Sequence, residues 1–176
     1  KRGMARHAVS CYESVLKLDG ECVTTLIKLA TVQEIAGDLR GALATALHVL
    51  RLDAKNGPAA LLAARLYAGF GNHAAAEQHW RILAERQEYR REGLPGLASS
   101  IEAQPGRRDE AVEAWMSAVE VTDAKPARIE ILYRMAGLLL QSEDIRRAVM
   151  LLGEIVSLDP GYRDAAALLE RYGELH

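Results

Sequence analysis

The sequence predicts an all-α protein built as an array of stacked helix–turn–helix repeats, an α-solenoid. The main observation is an alanine that recurs at spacings of 34, 34, 35 and 37 residues, with a glycine five residues before each of the first four. Hydrophobic residues make up 49% of the chain but aromatic residues only 5%, which favours closely packed helices over a β-sandwich. The alanines are Ala8, Ala42, Ala76, Ala111 and Ala148, and the preceding residues are Gly3, Gly37, Gly71, Gly106 and Glu143.

Alignment on these positions predicts one domain, residues 1–176, with four full repeats at 23–56, 57–90, 92–125 and 129–162. Residues 1–22 match only the second half of a repeat. Residues 163–176 match the first half of another, or a capping helix. Because the end repeats of a solenoid normally carry a polar cap, we expect this chain to be a fragment of a longer array.

The repeat that starts at Val23 shows why each unit should contain two helices. Leu26, Leu29 and Ala30 recur with the spacing of one helical face. Gly37 can end that helix because glycine accepts a positive φ. Asp38 then provides an N-cap for the second helix. The same cap position holds Asn72 and Asp144 in two other repeats.

Two positions of the second helix are expected to hold each hairpin together. The recurring alanine lies where the two helices cross, so its side chain must be small. The position four residues later is bulky in all repeats but one, and we interpret both of its tryptophans as core residues. The occupants of this plug position are Tyr12, Ala46, Trp80, Trp115 and Leu152.

The repeat 92–125 departs from this pattern. Gly93, Pro95 and Gly96 weaken its first helix, which we predict to be short, from Pro95 to Ala103. The charged run at residues 85–92 is predicted to be a solvated extension of the preceding helix. The alternative is a joint at which the array bends.

Taken together, these motifs resemble the tetratricopeptide repeat (TPR) family. The resemblance covers nearly the whole chain and implies a right-handed superhelical array whose first helices line a concave groove. The related pentatricopeptide class reads RNA, but the net charge of −2 and the glycine–alanine phasing argue against it, so no nucleic-acid partner is expected. The motif residues are Leu29-Ala30, Gly37, Ala42 and Asp53, then Ala63-Ala64, Tyr67, Gly71, Ala76 and Trp80, then Met135-Ala136, Ala148 and Asp159-Pro160.

The resemblance also implies where a partner binds. The lysine–asparagine clamp of chaperone-binding members is absent. An apolar floor with Lys28, Arg65 and Arg134 around it favours a helix or extended peptide with apolar anchors and an acidic flank. The alternative is that the leucines are core and the arginines ordinary surface. The predicted site residues are Thr24, Ile27, Lys28, Thr31, Leu61, Leu62, Arg65, Leu97, Glu130, Tyr133 and Arg134.

From this groove we predict a scaffold or adaptor that binds a peptide or helix of a partner protein. One alternative is a targeting or regulatory module of a longer enzyme or cell-envelope export protein. Another is self-association, with the first helix docking on the last helix of another copy. The richness in alanine, leucine and arginine suggests a bacterial source and leaves the cytoplasm and the periplasm both open.

No catalytic, cofactor or metal site is predicted, because no P-loop, HExxH, GxSxG or GxGxxG motif occurs. His7 and Cys11 have the spacing to share a metal ion, but zinc requires three or four ligands. No apolar stretch approaches the ~18 residues of a membrane span, so no membrane insertion is expected. Cys11 and Cys22 could be free or joined by a disulfide.

Overall fold

A computed structural model of the protein describes residues 2–19 and 22–173. These residues form ten α-helices and no strand, which confirms the all-α prediction. No helix within the described residues is long and apolar enough to cross a membrane. The helices are α1 (Arg2–Asp19), α2 (Val23–Ala36), α3 (Leu39–Leu52), α4 (Gly57–Gly69), α5 (His73–Ala84), α6 (Arg90–Glu102), α7 (Arg108–Glu120), α8 (Lys125–Gln141), α9 (Ile145–Leu158) and α10 (Ala165–Gly173).

The chain divides into two compact units, Lys1–Tyr89 and Arg90–His176, which we call the N-terminal unit and the C-terminal unit. The N-terminal unit contains α1 to α5, and the C-terminal unit contains α6 to α10. Within each unit every helix packs against the next one along the chain. The division into four repeats of one continuous array stays a prediction.

The turns inside the hairpins follow the predicted chemistry. Gly37, Gly71 and Gly106 have φ values of 89°, 75° and 78°, in the left-handed region where glycine has no steric penalty. Glu143 stands in the same position of the last hairpin and adopts a φ of 61°. The left-handed turn is therefore a property of the repeat, and it forms even where the residue is not glycine.

The residue after each turn caps the second helix when its side chain can accept a hydrogen bond. The carboxylate of Asp38 accepts from the backbone N–H of Gly41 at 2.9 Å. Asn72 and Asp144 make the equivalent contact at 3.2 Å in their own hairpins. Each cap satisfies one of the N–H groups that the first turn of a helix leaves without a partner.

The core of each unit is built on the positions that the repeat predicts. Four of the five recurring alanines are completely buried, namely Ala42, Ala76, Ala111 and Ala148. The plug position is buried as well, both where it holds a tryptophan and where it holds Ala46. The interpretation of Trp80 and Trp115 as core residues is therefore confirmed.

The predictions for residues 85–104 were wrong in two respects. Helix α5 ends at Ala84, so the charged run does not extend it, and α6 begins at Arg90 rather than at Pro95. Pro95 lies inside this helix, where its ring removes one hydrogen bond and crowds the Arg91 carbonyl. Burial of Gly93 and Leu94 favours the longer helix in spite of this cost. The Arg86 guanidinium donates to the Lys55 carbonyl at 2.7 Å, which holds the residues before α6 against the start of α4.

Cys11 and Cys22 are not joined by a disulfide. Cys11 lies on the exposed face of α1, with its Sγ 4.0 Å from Nε2 of His7. Within the described residues, no group of three or more His, Cys, Asp or Glu side chains is placed to hold a metal ion.

Candidate functional site

The N-terminal unit contains a cavity of about 180 Å³ between its two successive first helices, α2 and α4. Helix α3 closes the cavity from below. Eight of the eleven lining residues are apolar, and the other three are Thr31, Glu34 and Arg65. The lining residues are Ile27, Ala30, Thr31, Glu34, Ala46, Val49, Pro58, Ala59, Leu61, Leu62 and Arg65.

The floor of this cavity is set by a single small residue. Ala46 occupies the plug position, which a large side chain fills in the other repeats. The neighbouring repeat places Trp80 there, and this indole is buried. Because alanine leaves the space above it unfilled, the gap between α2 and α4 deepens into a cavity.

Charged groups lie around the mouth of the N-terminal cavity. Arg65 on α4 pairs with Glu34 on α2 at 2.7 Å, and the pair spans the opening. Lys28 is exposed on α2 beside Ile27, and it has no acidic partner among the residues that the structure describes. The hydroxyl of Thr31 donates to the Ile27 carbonyl at 2.9 Å, which leaves its methyl group available to the cavity.

The C-terminal unit has a wider groove, about 740 Å³, between its first helices α6 and α8. Here the plug position holds Trp115, whose ring contributes to the floor. The indole Nε1–H donates to Glu102 at 2.8 Å, and the Arg134 guanidinium lies 5.6 Å from the ring centre. The groove is therefore broad with an aromatic floor, whereas the N-terminal cavity is narrow and deep.

The C-terminal unit also contains a cavity of about 380 Å³, which adjoins α8 and the turn before α10. At its centre the Glu130 carboxylate contacts two arginines, Arg134 at 3.1 Å and Arg163 at 2.7 Å. The Tyr162 hydroxyl also donates to Glu130, at 2.5 Å. Arg134 reaches Glu102 on α6 as well, at 3.3 Å, so the network links α6, α8 and the turn before α10.

Two tyrosines fix the geometry of this network. The Arg163 guanidinium lies 4.8 Å from the Tyr133 ring centre and 5.1 Å from the Tyr162 ring centre. Tyr133 donates its hydroxyl proton to Asp164 at 2.5 Å. Cation–π contact and charge-assisted hydrogen bonds together hold Arg163 in place.

Ionisation of this cluster follows from these contacts. The hydrogen bond from Tyr162 has the largest effect and lowers the pKa of Glu130. Burial opposes it, and both arginines lower this pKa further. The hydrogen bond to Asp164 raises the pKa of Tyr133. Burial, followed by the bond to Glu130, raises the pKa of Tyr162. At neutral pH, Glu130 is therefore charged and both phenols are protonated.

The structure separates the predicted site residues into groups. Five of them line the N-terminal cavity: Ile27, Thr31, Leu61, Leu62 and Arg65. Three lie together in the C-terminal unit: Glu130, Tyr133 and Arg134. Thr24 and Lys28 are exposed on α2, and Leu97 is half-buried on α6. These last three residues line none of the cavities described above.

Two features of the site were not anticipated from the sequence. Arg65 and Arg134, predicted to attract an acidic partner, already contact carboxylates within their own units. Ala46 was not among the predicted site residues, although the one small residue in an otherwise bulky position was a usable signal. A missing plug was visible in the repeat alignment, but that alignment does not show that the space opens toward the groove.

Comparison with protein-family models and with curated proteins finds no match. Solved structures are similar in fold at low identity. MamA is 19% identical, with a TM-score of 0.76 over 90% of each chain. MamA from Desulfovibrio magneticus RS-1 is 14% identical, with a TM-score of 0.74 over 92% of this chain and 89% of that one. YrrB, described as a TPR protein with an unusual peptide-binding site, is 16% identical, with a TM-score of 0.76 over 98% of this chain and 84% of that one.

These likenesses show the fold: the chain is an α-solenoid of TPR-type helical hairpins. The resemblance drawn from its glycine, alanine and plug positions is confirmed at that level. In both units the cavities open between successive first helices, at the positions where the resemblance places a partner.

Proposed function

We propose that this chain is a protein-interaction scaffold or adaptor, which holds a peptide or helix of a partner protein between its first helices. The observation that carries the proposal is the N-terminal cavity. Five of the site residues predicted from the repeat register line this one cavity, which is apolar inside and charged at its mouth. The peptide-binding site of YrrB, a protein of the same fold, supports the same use of such a surface.

The proposal assigns binding rather than catalysis to this surface. The openings between the first helices face solvent, and their polar groups are engaged in ion pairs between helices. An arrangement of this kind recognises a side chain or a short segment by shape and charge. The proposed partner is a protein; nucleic acid is not expected from a chain of net charge −2.

Matched variants on two helices test the proposal. In the N-terminal unit, Thr31→Arg places a long side chain at the mouth of the cavity. Ile35→Arg, one turn further along α2 at an exposed position outside the cavity, is its control. In the C-terminal unit, Gly137→Arg fills the cavity beside α8. Gly153→Arg on α9 is its control, because a side chain meets open space at both glycines.

The measurement is affinity capture of host proteins by the intact chain and by each variant, with helicity checked by circular dichroism. We expect a captured protein to be lost with Thr31→Arg or Gly137→Arg and retained with the matching control. Retention by both groove variants would refute binding between the first helices. Absence of any captured protein would refute the adaptor function.

A further inference from the structure

The plug position gives the first argument about what the N-terminal cavity takes. In the C-terminal unit, Trp115 fills this position and contributes to the floor of the groove between α6 and α8. In the N-terminal unit, Ala46 leaves the corresponding floor low and the space above it empty of side chains. The rest of the array thus shows what this space accommodates: one large apolar side chain.

The lining of the cavity gives the second argument. Its interior surface comes from Ile27, Ala30, Val49, Ala59 and Leu62 together with Ala46, which offer no polar group to a ligand. Hydrocarbon gains most from such an environment, because burial there removes apolar surface from water on both sides. A volume of about 180 Å³ suits a single leucine, isoleucine, methionine or phenylalanine side chain rather than a folded segment.

The charge at the mouth gives the third argument. The Glu34–Arg65 pair is neutral as a whole, and Lys28 carries an exposed positive charge on α2 next to the lining residue Ile27. Arg65 uses only Nη2 in its pair, and its side chain is 56% exposed, so further N–H groups face solvent. A carboxylate that follows the apolar side chain in sequence would complement this edge.

From these three observations, we infer that the N-terminal cavity receives one large apolar side chain of the partner peptide, with an adjacent carboxylate against Lys28 and Arg65. The partner's side chain thus fills the space that Ala46 leaves open and that a bulky plug residue fills in other repeats. This inference rests on the proposed function and specifies the partner chemistry of the same site.

A random peptide library displayed on phage, selected against the intact chain and four variants, tests the inference. Ala46→Leu supplies the plug from within, and Ala44→Leu at an exposed position of the same helix is its control. Lys28→Glu reverses the charge at the mouth. Lys17→Glu, which is exposed on α1 and does not line the cavity, is its control. Circular dichroism confirms that each variant is folded.

The wild type and both controls should select peptides in which a large apolar residue adjoins aspartate or glutamate. On Ala46→Leu, those peptides should bind about ten- to a hundredfold more weakly, the range that burial of one such side chain provides. On Lys28→Glu, the selected peptides should exchange their acidic residue for a basic one. This second readout stands even if Ala46→Leu fails to fold, because Lys28 is exposed.

Three outcomes would overturn the inference: unchanged binding to a folded Ala46→Leu variant, an unchanged charge preference on Lys28→Glu, or no enrichment of an apolar residue. The test of the proposed function is independent of this test of the plug. A host protein that is lost with Thr31→Arg but kept by folded Ala46→Leu would preserve groove binding and refute only the plug.

Discussion

The two units present different surfaces between their first helices, although both are built from the same hairpin. The N-terminal unit has a cavity above Ala46, with the Glu34–Arg65 pair at its mouth. The C-terminal unit has a broad groove above Trp115, flanked by the Glu130 network. The hairpin positions that maintain the fold are similar in the two units, whereas the plug and the first-helix positions differ. The chemistry of the surface between the first helices can therefore change while the packing of the hairpin stays the same.

The largest expected effect on stability comes from removal of the aromatic floor of the C-terminal unit. Trp115→Ala deletes a buried indole and its hydrogen bond to Glu102. We expect a loss of about 3–5 kcal/mol in the free energy of unfolding, as for other buried aromatic truncations. Urea denaturation measures it. A loss below about 1 kcal/mol would show that the indole is not an energetic part of the floor.

The turns offer a second test, because the last hairpin alone has a non-glycine residue in the left-handed position among the four described turns. Glu143→Gly should raise the free energy of unfolding by about 1 kcal/mol by relieving that backbone conformation. Glu13→Gly, at an exposed helical position of α1, should lower it by about 1 kcal/mol. Thermal unfolding of both variants measures these changes in the free energy of unfolding. An equal change in both variants would show that the backbone at Glu143 is not strained.

The charge network of the C-terminal unit should make the docking of α10 depend on pH. Because Tyr162 and the two arginines lower the pKa of Glu130, its stabilisation is present above the pKa of an unfolded glutamate and is lost as pH falls through the lowered value. The groups are partly exposed, so the effect should stay within about 1 kcal/mol. Hydrogen exchange of α10 amides between neutral and acidic pH measures it.

Glu130→Gln is the control for this pH dependence. Glutamine keeps an oxygen that accepts from Tyr162 but carries no charge to titrate. In this variant, α10 protection should change less on acidification than in the wild type. Identical acid-induced loss of protection in both proteins would show that Glu130 is not the cause of the pH dependence.

The smallest expected effect concerns the ion pair at the N-terminal cavity. Arg65→Gln removes the pair with Glu34, and both side chains are partly exposed. We expect a change within about 0.5 kcal/mol, because pairs of this kind are screened by water. Chemical denaturation measures this variant beside Arg134→Gln. Arg134 contacts two carboxylates and an indole, so its replacement should lower the free energy of unfolding more than Arg65→Gln does.

Most of the hairpin architecture could be predicted from the sequence, because its determinants are local. Gly37 and Asp38 specify a turn and a cap through their own backbone and side-chain chemistry, and the structure confirms both. Residues 85–104 were harder, because the start of α6 depends on burial of Gly93 and Leu94 and on the anchoring of Arg86 to Lys55. Contacts of this kind join residues distant in sequence, and the helix propensity of a local segment cannot predict them.

The spacing of residues in the sequence was enough to give the repeat period and the helical class, because both depend on a fixed interval and on local geometry. Tertiary structure decided the chemistry of the two surfaces. It paired Arg65 with Glu34 and gathered Glu130, Arg134 and Arg163 into one network, thereby removing most of the positive charge that the sequence offered to a partner. It also turned Ala46 from a missing plug into the floor of a cavity, since an unfilled volume exists only once the surrounding helices have packed.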